Sequence, residues 1–266
     1  MNMDLHARTT PALDLAAELM HGMSHPAALA LRPQDAALLE GAERFRFGPG
    51  GALQGWGLGD GPVVCLVHGY GGLGVQMAPL ARAIAARGYR ALFFDAEGHG
   101  ASAPGPVGFD SFITASAALS DHVGGPVHAW VGHSAGGLAM MRARALHGVA
   151  GGRYVVISAP LFPYVPLERM RELGAPAAAL EHVKMGLAEQ FRTGWSRLAA
   201  GISFAKEDEG GPLLAIYDRD DTRVDHGDAE RIAGLWPGCR IVKTEGLGHN
   251  RILQDAGVIE AVTGFL

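Results

Sequence analysis

From Pro62 onward the chain alternates short, apolar, β-rich runs with helical stretches, and this rhythm narrows its possible folds more than any other feature. Val63–His68 precedes a helical stretch at Val75–Arg87, Arg90–Asp95 precedes Asp110–Val123, and Val127–Val131 precedes Ala135–His147. Tyr154–Ser158 follows, and the alternation resumes at Leu213–Tyr217, Asp228–Leu235, Arg240–Lys243 and Ile252–Phe265. Runs that are apolar on both faces and separated by helices describe an α/β fold, a mostly parallel sheet with helices covering both faces. Hydrophobic residues make up 48% of the chain, enough to bury such a core and to exclude global disorder.

Two regions stand outside the rhythm. Residues 1–43 read as a helical, loosely attached N-terminal extension. Leu13, Leu15, Leu19 and Met20 suggest a short amphipathic helix, and Pro33–Glu40 a second with proline in its first turn. Arg44–Phe47 and Leu53–Gly57 then read as two strands split by the turn Gly48-Pro49-Gly50-Gly51. The second region, Leu161–Gly211, carries Pro163, Pro166 and Pro176 and no strand pattern, so it reads as short helices inserted between two strands.

Charge and cysteine content remove several function classes. The net charge is −5 with no block of like charges, which argues against a nucleic-acid-binding face. No apolar run approaches the roughly 20 residues that span a bilayer. Asp4, His6 and Arg8 stand where a secretory signal would be apolar, so a cytoplasmic location is expected. Cys65 and Cys239, on strands three and eight, are expected to be reduced, and Cys65 to be an inert core thiol. His-Glu-x-x-His is absent, and no Cys/His cluster has metal-ligand spacing.

In a sheet of this kind the chemistry collects beyond the carboxyl ends of the strands. After Val127–Val131 comes Gly132-His133-Ser134-Ala135-Gly136, a Gly-x-Ser-x-Gly. An abrupt strand-to-helix turn strains the serine and needs small neighbours, and it presents the hydroxyl at a helix N-terminus, where developing negative charge is favoured. A serine nucleophile needs a base, and the base a carboxylate. Leu213–Tyr217 runs into Asp218-Arg219-Asp220-Asp221-Thr222-Arg223-Val224, and Arg240–Lys243 into Glu245-Gly246-Leu247-Gly248-His249. The order is then Ser134, an aspartate, His249.

One pattern points elsewhere. Gly69-Tyr70-Gly71-Gly72-Leu73-Gly74 is a Gly-x-Gly-x-x-Gly after a strand, and Asp95 ends the next strand, where a dinucleotide-binding fold would hold the ribose. With 39 glycines such patterns arise easily by chance, and the dehydrogenase reading leaves the Ser134, Asp221 and His249 loops without a use.

These residues together resemble the α/β-hydrolase superfamily, from about Arg44 to Leu266. His68-Gly69-Tyr70-Gly71-Gly72 is similar to its oxyanion loop, and Asp95-Ala96-Glu97-Gly98-His99-Gly100-Ala101-Ser102 to its Asp-x-x-Gly-x-Gly-x-Ser segment. Leu161–Gly211 falls where that family inserts its lid. The acid loop departs from the family's Gly-x-x-Asp-x-x-Val, because Asp218 occupies the glycine position; Asp221 keeps the register with Val224, and Asp220 remains the alternative acid.

The resemblance implies an eight-stranded α/β-hydrolase domain over residues 44–266 with a lid at 161–211. It also implies catalytic Ser134, Asp221 and His249, with an oxyanion hole formed by the backbone N–H groups of Tyr70 and Ala135. His99 and His133 then pack the loops. The expected activity is a serine hydrolase cleaving small-molecule carboxylic esters of short to medium acyl chain through an acyl-enzyme, with no metal or organic cofactor. The same residues would serve a thioesterase, amidase, carbon–carbon hydrolase or acyltransferase. A non-catalytic ligand-binding member and a nicotinamide-dependent oxidoreductase are the readings from other classes. Ser134 disfavours the aspartate-nucleophile branches of the superfamily.

Overall fold

The computed structural model describes residues 15, 17–25, 29, 31–205 and 211–266. Asp4, His6, Arg8 and Leu13, on which some of the expectations above rest, lie outside them. Helix α1 covers residues 17–24 and α2 covers Pro33–Ala36. The strands are β1 (Glu43–Phe47), β2 (Leu53–Leu58), β3 (Val63–Val67), β4 (Arg90–Asp95), β5 (Val127–His133), β6 (Arg153–Ile157), β7 (Leu213–Asp218) and β8 (Arg240–Thr244). They form one eight-stranded sheet in the order β1-β2-β4-β3-β5-β6-β7-β8, with β2 antiparallel to both neighbours and every pairing from β4 to β8 parallel.

Because successive strand residues face opposite ways, each apolar run divides between two cores. Cys65, Leu92, Phe94, Trp130, Val156 and Tyr217 face one core. There they meet α4 (Phe109–Val123), α5 (Ala135–His147) and α9 (Asp228–Leu235). Val64, Leu66, Phe93, Val131, Val155 and Ile216 face the other, against α3 (Ala78–Ala86) and α11 (Ala256–Phe265). Burying each large apolar side chain stabilises the fold by about 1.5–3 kcal/mol, so continuous apolar runs are what a sheet covered on both faces requires.

Several ends differ from the sequence reading. Strand β5 runs two residues further, so Gly132 and His133 still pair with β6 and the turn begins at Ser134 itself. The helix expected at Val75–Arg87 opens as a 3₁₀ turn, Gly74–Met77, and α3 follows with Pro79 in its first turn, where a missing N–H costs nothing. The last helix is likewise interrupted: a 3₁₀ turn at Ile252–Gln254 ends at Asp255, whose carboxylate caps α11 by accepting from Val258 N at 2.9 Å. Cys239 lies just before β8 rather than on it, and both cysteines are free.

Between β6 and β7 the chain forms α6 (Val165–Glu172), α7 (Ala177–Gln190) and α8 (Trp195–Ala199); residues 206–210 lie outside the described set. Its start is pinned by buried Asp228, whose Oδ2 accepts from Leu161 N at 2.9 Å and from Tyr164 Oη at 2.8 Å. Leu167, Met170, Leu180, Val183 and Leu187 form a small core of their own. Leu19, Met20 and Met23 pack onto it, so the described helix of the N-terminal extension is docked there. No helix among the described residues is long and apolar enough to cross a membrane.

Candidate active site

Ser134 leaves β5 at φ 52°, ψ −127°, a conformation that L-residues seldom adopt and that marks a strained strand-to-helix turn. Gly136 permits it, since a Cβ there would stand 2.1 Å from the His68 carbonyl oxygen. Three residues beyond β7 comes Asp221, and α10 (Gly248–Arg251), which follows β8, carries His249. His249 Nδ1 lies 2.7 Å from Asp221 Oδ2, and its Nε2 lies 2.9 Å from Ser134 Oγ. An ionised carboxylate only accepts, so Nδ1 carries the proton and Nε2 is left free to take one from the Ser134 hydroxyl.

The side chain of Asp221 is fully buried. Burial raises its affinity for a proton, but the His249 ring and the backbone N–H groups of Arg223 and Val224 outweigh this and hold the carboxyl below its ordinary range. Asp220 points elsewhere, with Oδ2 accepting from Gly246 N at 2.7 Å. The two neighbouring aspartates therefore do different things, and only Asp221 meets His249.

The sequence reading gave Asp218 no role beyond being a departure from the family pattern. It is fully buried at the end of β7. Its Oδ2 accepts from Thr244 Oγ1 at 2.7 Å and Leu247 N at 3.1 Å, while Oδ1 accepts from Gly248 N at 2.8 Å and Asp220 N at 3.0 Å. Although burial raises its pKa, these four donors lower it below the ordinary value. One carboxylate thus ties the loop bearing Asp221 to the loop bearing His249. The signal that could have revealed it was a carboxylate in an otherwise apolar strand end.

Three histidines brace the site from below. His133 donates from Nε2 to the His249 carbonyl at 2.8 Å, and burial pushes its pKa down to about 3. His68 donates from Nδ1 to Gly69 O at 2.8 Å and accepts from Ala96 N at Nε2, 3.0 Å away, with a pKa also lowered to about 3, chiefly by burial. His99 donates from Nδ1 to Glu97 O at 3.0 Å and accepts Gly71 N at Nε2, 3.1 Å away. These bonds hold the loop at residues 69–72 in place. Among the described residues no acceptor meets the N–H of Tyr70, and that of Ala135 begins α5, where a helix leaves its donors unsatisfied. Both residues line the same cavity as Ser134 and His249.

The dinucleotide pattern has a different use. Asp95 accepts from Gly74 N at 2.7 Å and Ala101 N at 2.8 Å, so its carboxylate clamps two loops together. A Cβ at Gly74 would stand 2.5 Å from Phe94 O. That glycine is needed for close packing on β4.

The cavity, about 440 Å³, opens over Ser134. Its walls include Val107, Phe109, Phe112, Val165 and Leu187. Arg169 and Arg223 also line it, and none of its described lining residues is an aspartate or glutamate.

Residues 61–209, more than half of the chain, match the family described as Hydrolase_4: Serine aminopeptidase, S33. The chain belongs to that family. It is an α/β-hydrolase, and solved structures agree on the fold. An esterase from Pyrococcus furiosus superposes with a TM-score of 0.66 at 19% identity, covering 91% of this chain and 98% of its own. An epoxide hydrolase from Vigna radiata gives 0.63 at 19% identity, over 85% and 98%. A thermophilic esterase from Thermogutta terrifontis gives 0.59 at 16% identity, over 84% and 97%. No curated protein matches this hydrolase in sequence.

Proposed function

We propose that this hydrolase cleaves carboxylic esters of short to medium acyl chain through an acyl-enzyme on Ser134. The observation that carries the reading is His249, within hydrogen-bond distance of both Ser134 Oγ and Asp221 Oδ2, facing an apolar cavity. Ser134 Oγ attacks the carbonyl carbon while its proton passes to His249 Nε2. The Tyr70 and Ala135 N–H groups receive the negative charge that develops on the carbonyl oxygen. Collapse breaks the bond to the alcohol, which leaves with the His249 proton, and a water activated by the same nitrogen then releases the acid. Asp221 fixes the imidazole tautomer and stabilises its charged form. No step calls for a metal or an organic cofactor. Helices α6 to α8 act as the lid, since Val165 and Leu187 line the cavity.

The family description favours a second reading, removal of an N-terminal residue from a peptide. An aminopeptidase must hold a free ammonium group, and the described cavity lining offers it no carboxylate. A fluorophosphonate label mapped by mass spectrometry tests the nucleophile, and labelling at Ser134 is the expected result. Turnover of p-nitrophenyl esters from acetate to palmitate, beside aminoacyl p-nitroanilides, tests the substrate. A maximum at short to medium esters is expected. Faster turnover of the anilides would replace the ester reading with the peptidase one, and a maximum at palmitate would make the enzyme a lipase.

A further inference from the structure

The family match covers residues 61–209 and does not extend to the region upstream of the strands. Yet Met20, Met23, Ser24 and Leu29 line the same cavity as Ser134 and His249. Among the described residues, two hydrogen bonds hold the segment there. Val107 N donates to Ser24 O at 2.7 Å, and Tyr70 Oη donates to Met23 O. Leu19, Met20 and Met23 pack on the small core formed by α6 and α7. Met20 runs close along α7, where a Cβ added at Gly186 would stand 3.4 Å from Met20 Cε.

Tyr70 joins this segment to the site. Its backbone N–H meets no acceptor among the described residues, and its phenol holds the carbonyl of Met23. The loop that would receive the oxyanion is therefore tied at one end to His99, through Gly71 N, and at the other to the end of α1.

We infer that the N-terminal segment is a specificity-determining wall of the acyl pocket, with Met20 and Met23 setting the length of acyl chain the site accepts. The inference rests on the hydrolytic reading of Ser134. Methionine suits the task, because an unbranched, polarisable side chain adapts to chains of different length while excluding water. Replacing either thioether by an indole would fill the space that the outer methylenes of a longer acyl chain need.

The test uses alkyl fluorophosphonates, which report on Ser134 whether the natural bond is an ester or an amide. Rates of labelling by a short-chain and an octyl probe are compared in the wild type, in Met20→Trp and in Met23→Trp. Leu173→Trp, at an exposed position of the insertion outside the cavity, serves as the control. The octyl-to-short ratio is expected to fall about tenfold or more in at least one methionine variant, the scale on which apolar pockets discriminate by one or two methylenes, and to stay at the wild-type value in Leu173→Trp. Ratios unchanged in both methionine variants, with Ser134 labelled, would overturn the inference and leave the nucleophile in place. Wild-type protein that labels at no serine would remove the hydrolytic reading and the inference together.

Discussion

The floor and the roof of the candidate site are built from different interactions. Below the cavity, Asp218, Asp221, His68, His99 and His133 are held by directional bonds of 2.7–3.1 Å to backbone and side-chain donors and acceptors. Above it, α1, α6 and α7 meet through leucine, methionine and valine side chains. Proton transfer demands that three side chains stay within tenths of an ångström of one geometry, which directional bonds in a dry interior enforce. Accommodating an acyl chain demands volume and adaptability instead, which apolar packing supplies without fixing a single arrangement.

The sharpest break in this contrast comes at the floor. On the proposed mechanism Ser134→Ala folds normally and loses on the order of 10⁴–10⁶ in kcat, because no other group forms the acyl-enzyme. A mutant retaining a tenth of wild-type esterase turnover would falsify the assignment.

Next in size is the pair of adjacent acids. Asp221→Asn is expected to lower kcat by about 10⁴, as loss of the orienting carboxylate does in other triads. Asp220→Asn removes only a charged acceptor from Gly246 N and should cost less than about tenfold. Steady-state kinetics of both variants decide it, and the opposite ranking would hand the acid role to Asp220.

Asp218 separates positioning from chemistry. Asp218→Ala leaves four part-buried donors without their acceptor, so the urea midpoint should fall by an amount equivalent to about 3 kcal/mol. On the folded variant kcat should drop about 10–100-fold with KM little changed, since the loops carrying Asp221 and His249 lose their common anchor. An unchanged kcat would show that those loops need no such tie.

The most diffuse effect is spread over the histidines. His68 and His133 ordinarily protonate near 6.5, whereas burial holds them at about 3 in the folded protein. Between those values the unfolded chain binds the protons and the folded one does not, so their contribution is complete above about pH 6.5 and lost progressively toward pH 3. Each adds a slope of up to about 1.4 kcal/mol per pH unit. Urea midpoints measured from pH 7 to pH 5, above the ordinary carboxylate range, should fall steadily; a flat series would mean these rings are not held neutral.

Much of this was legible in the sequence where local rules suffice. Apolar runs such as Val63–Val67 and Leu213–Asp218 face both cores, so composition and length marked them as buried strands. Ser134 was visible because its turn constrains residues two positions away. Asp221 was ranked over Asp220 only by register with Val224; in the structure the two carboxylates diverge, Asp221 toward His249 and Asp220 toward Gly246 N. What escaped notice depends on partners distant in sequence. Nothing near Asp218 announces that its donors lie at Thr244, Leu247 and Gly248. Nothing near Met23 announces that its carbonyl meets Tyr70. A short amphipathic pattern shows that a helix has an apolar face, and leaves open what that face will cover.

Strand β8 gives the site a weak point that has nothing to do with reactivity. β7 is buried along its whole length, but β8 is one of the sheet's two edge strands and is exposed or half-exposed throughout. On the proposed mechanism His249 must stay against Ser134, and the loop that carries it leaves β8, so the working state would be a subset of the folded states. On that reading, opening of this edge strand should lower activity before the rest of the sheet unfolds. Amide hydrogen exchange should therefore be faster at residues 241–244 than at residues 64–67. Warming should extinguish turnover before the molecule melts, which makes the lifetime of activity a property of the edge rather than of the whole.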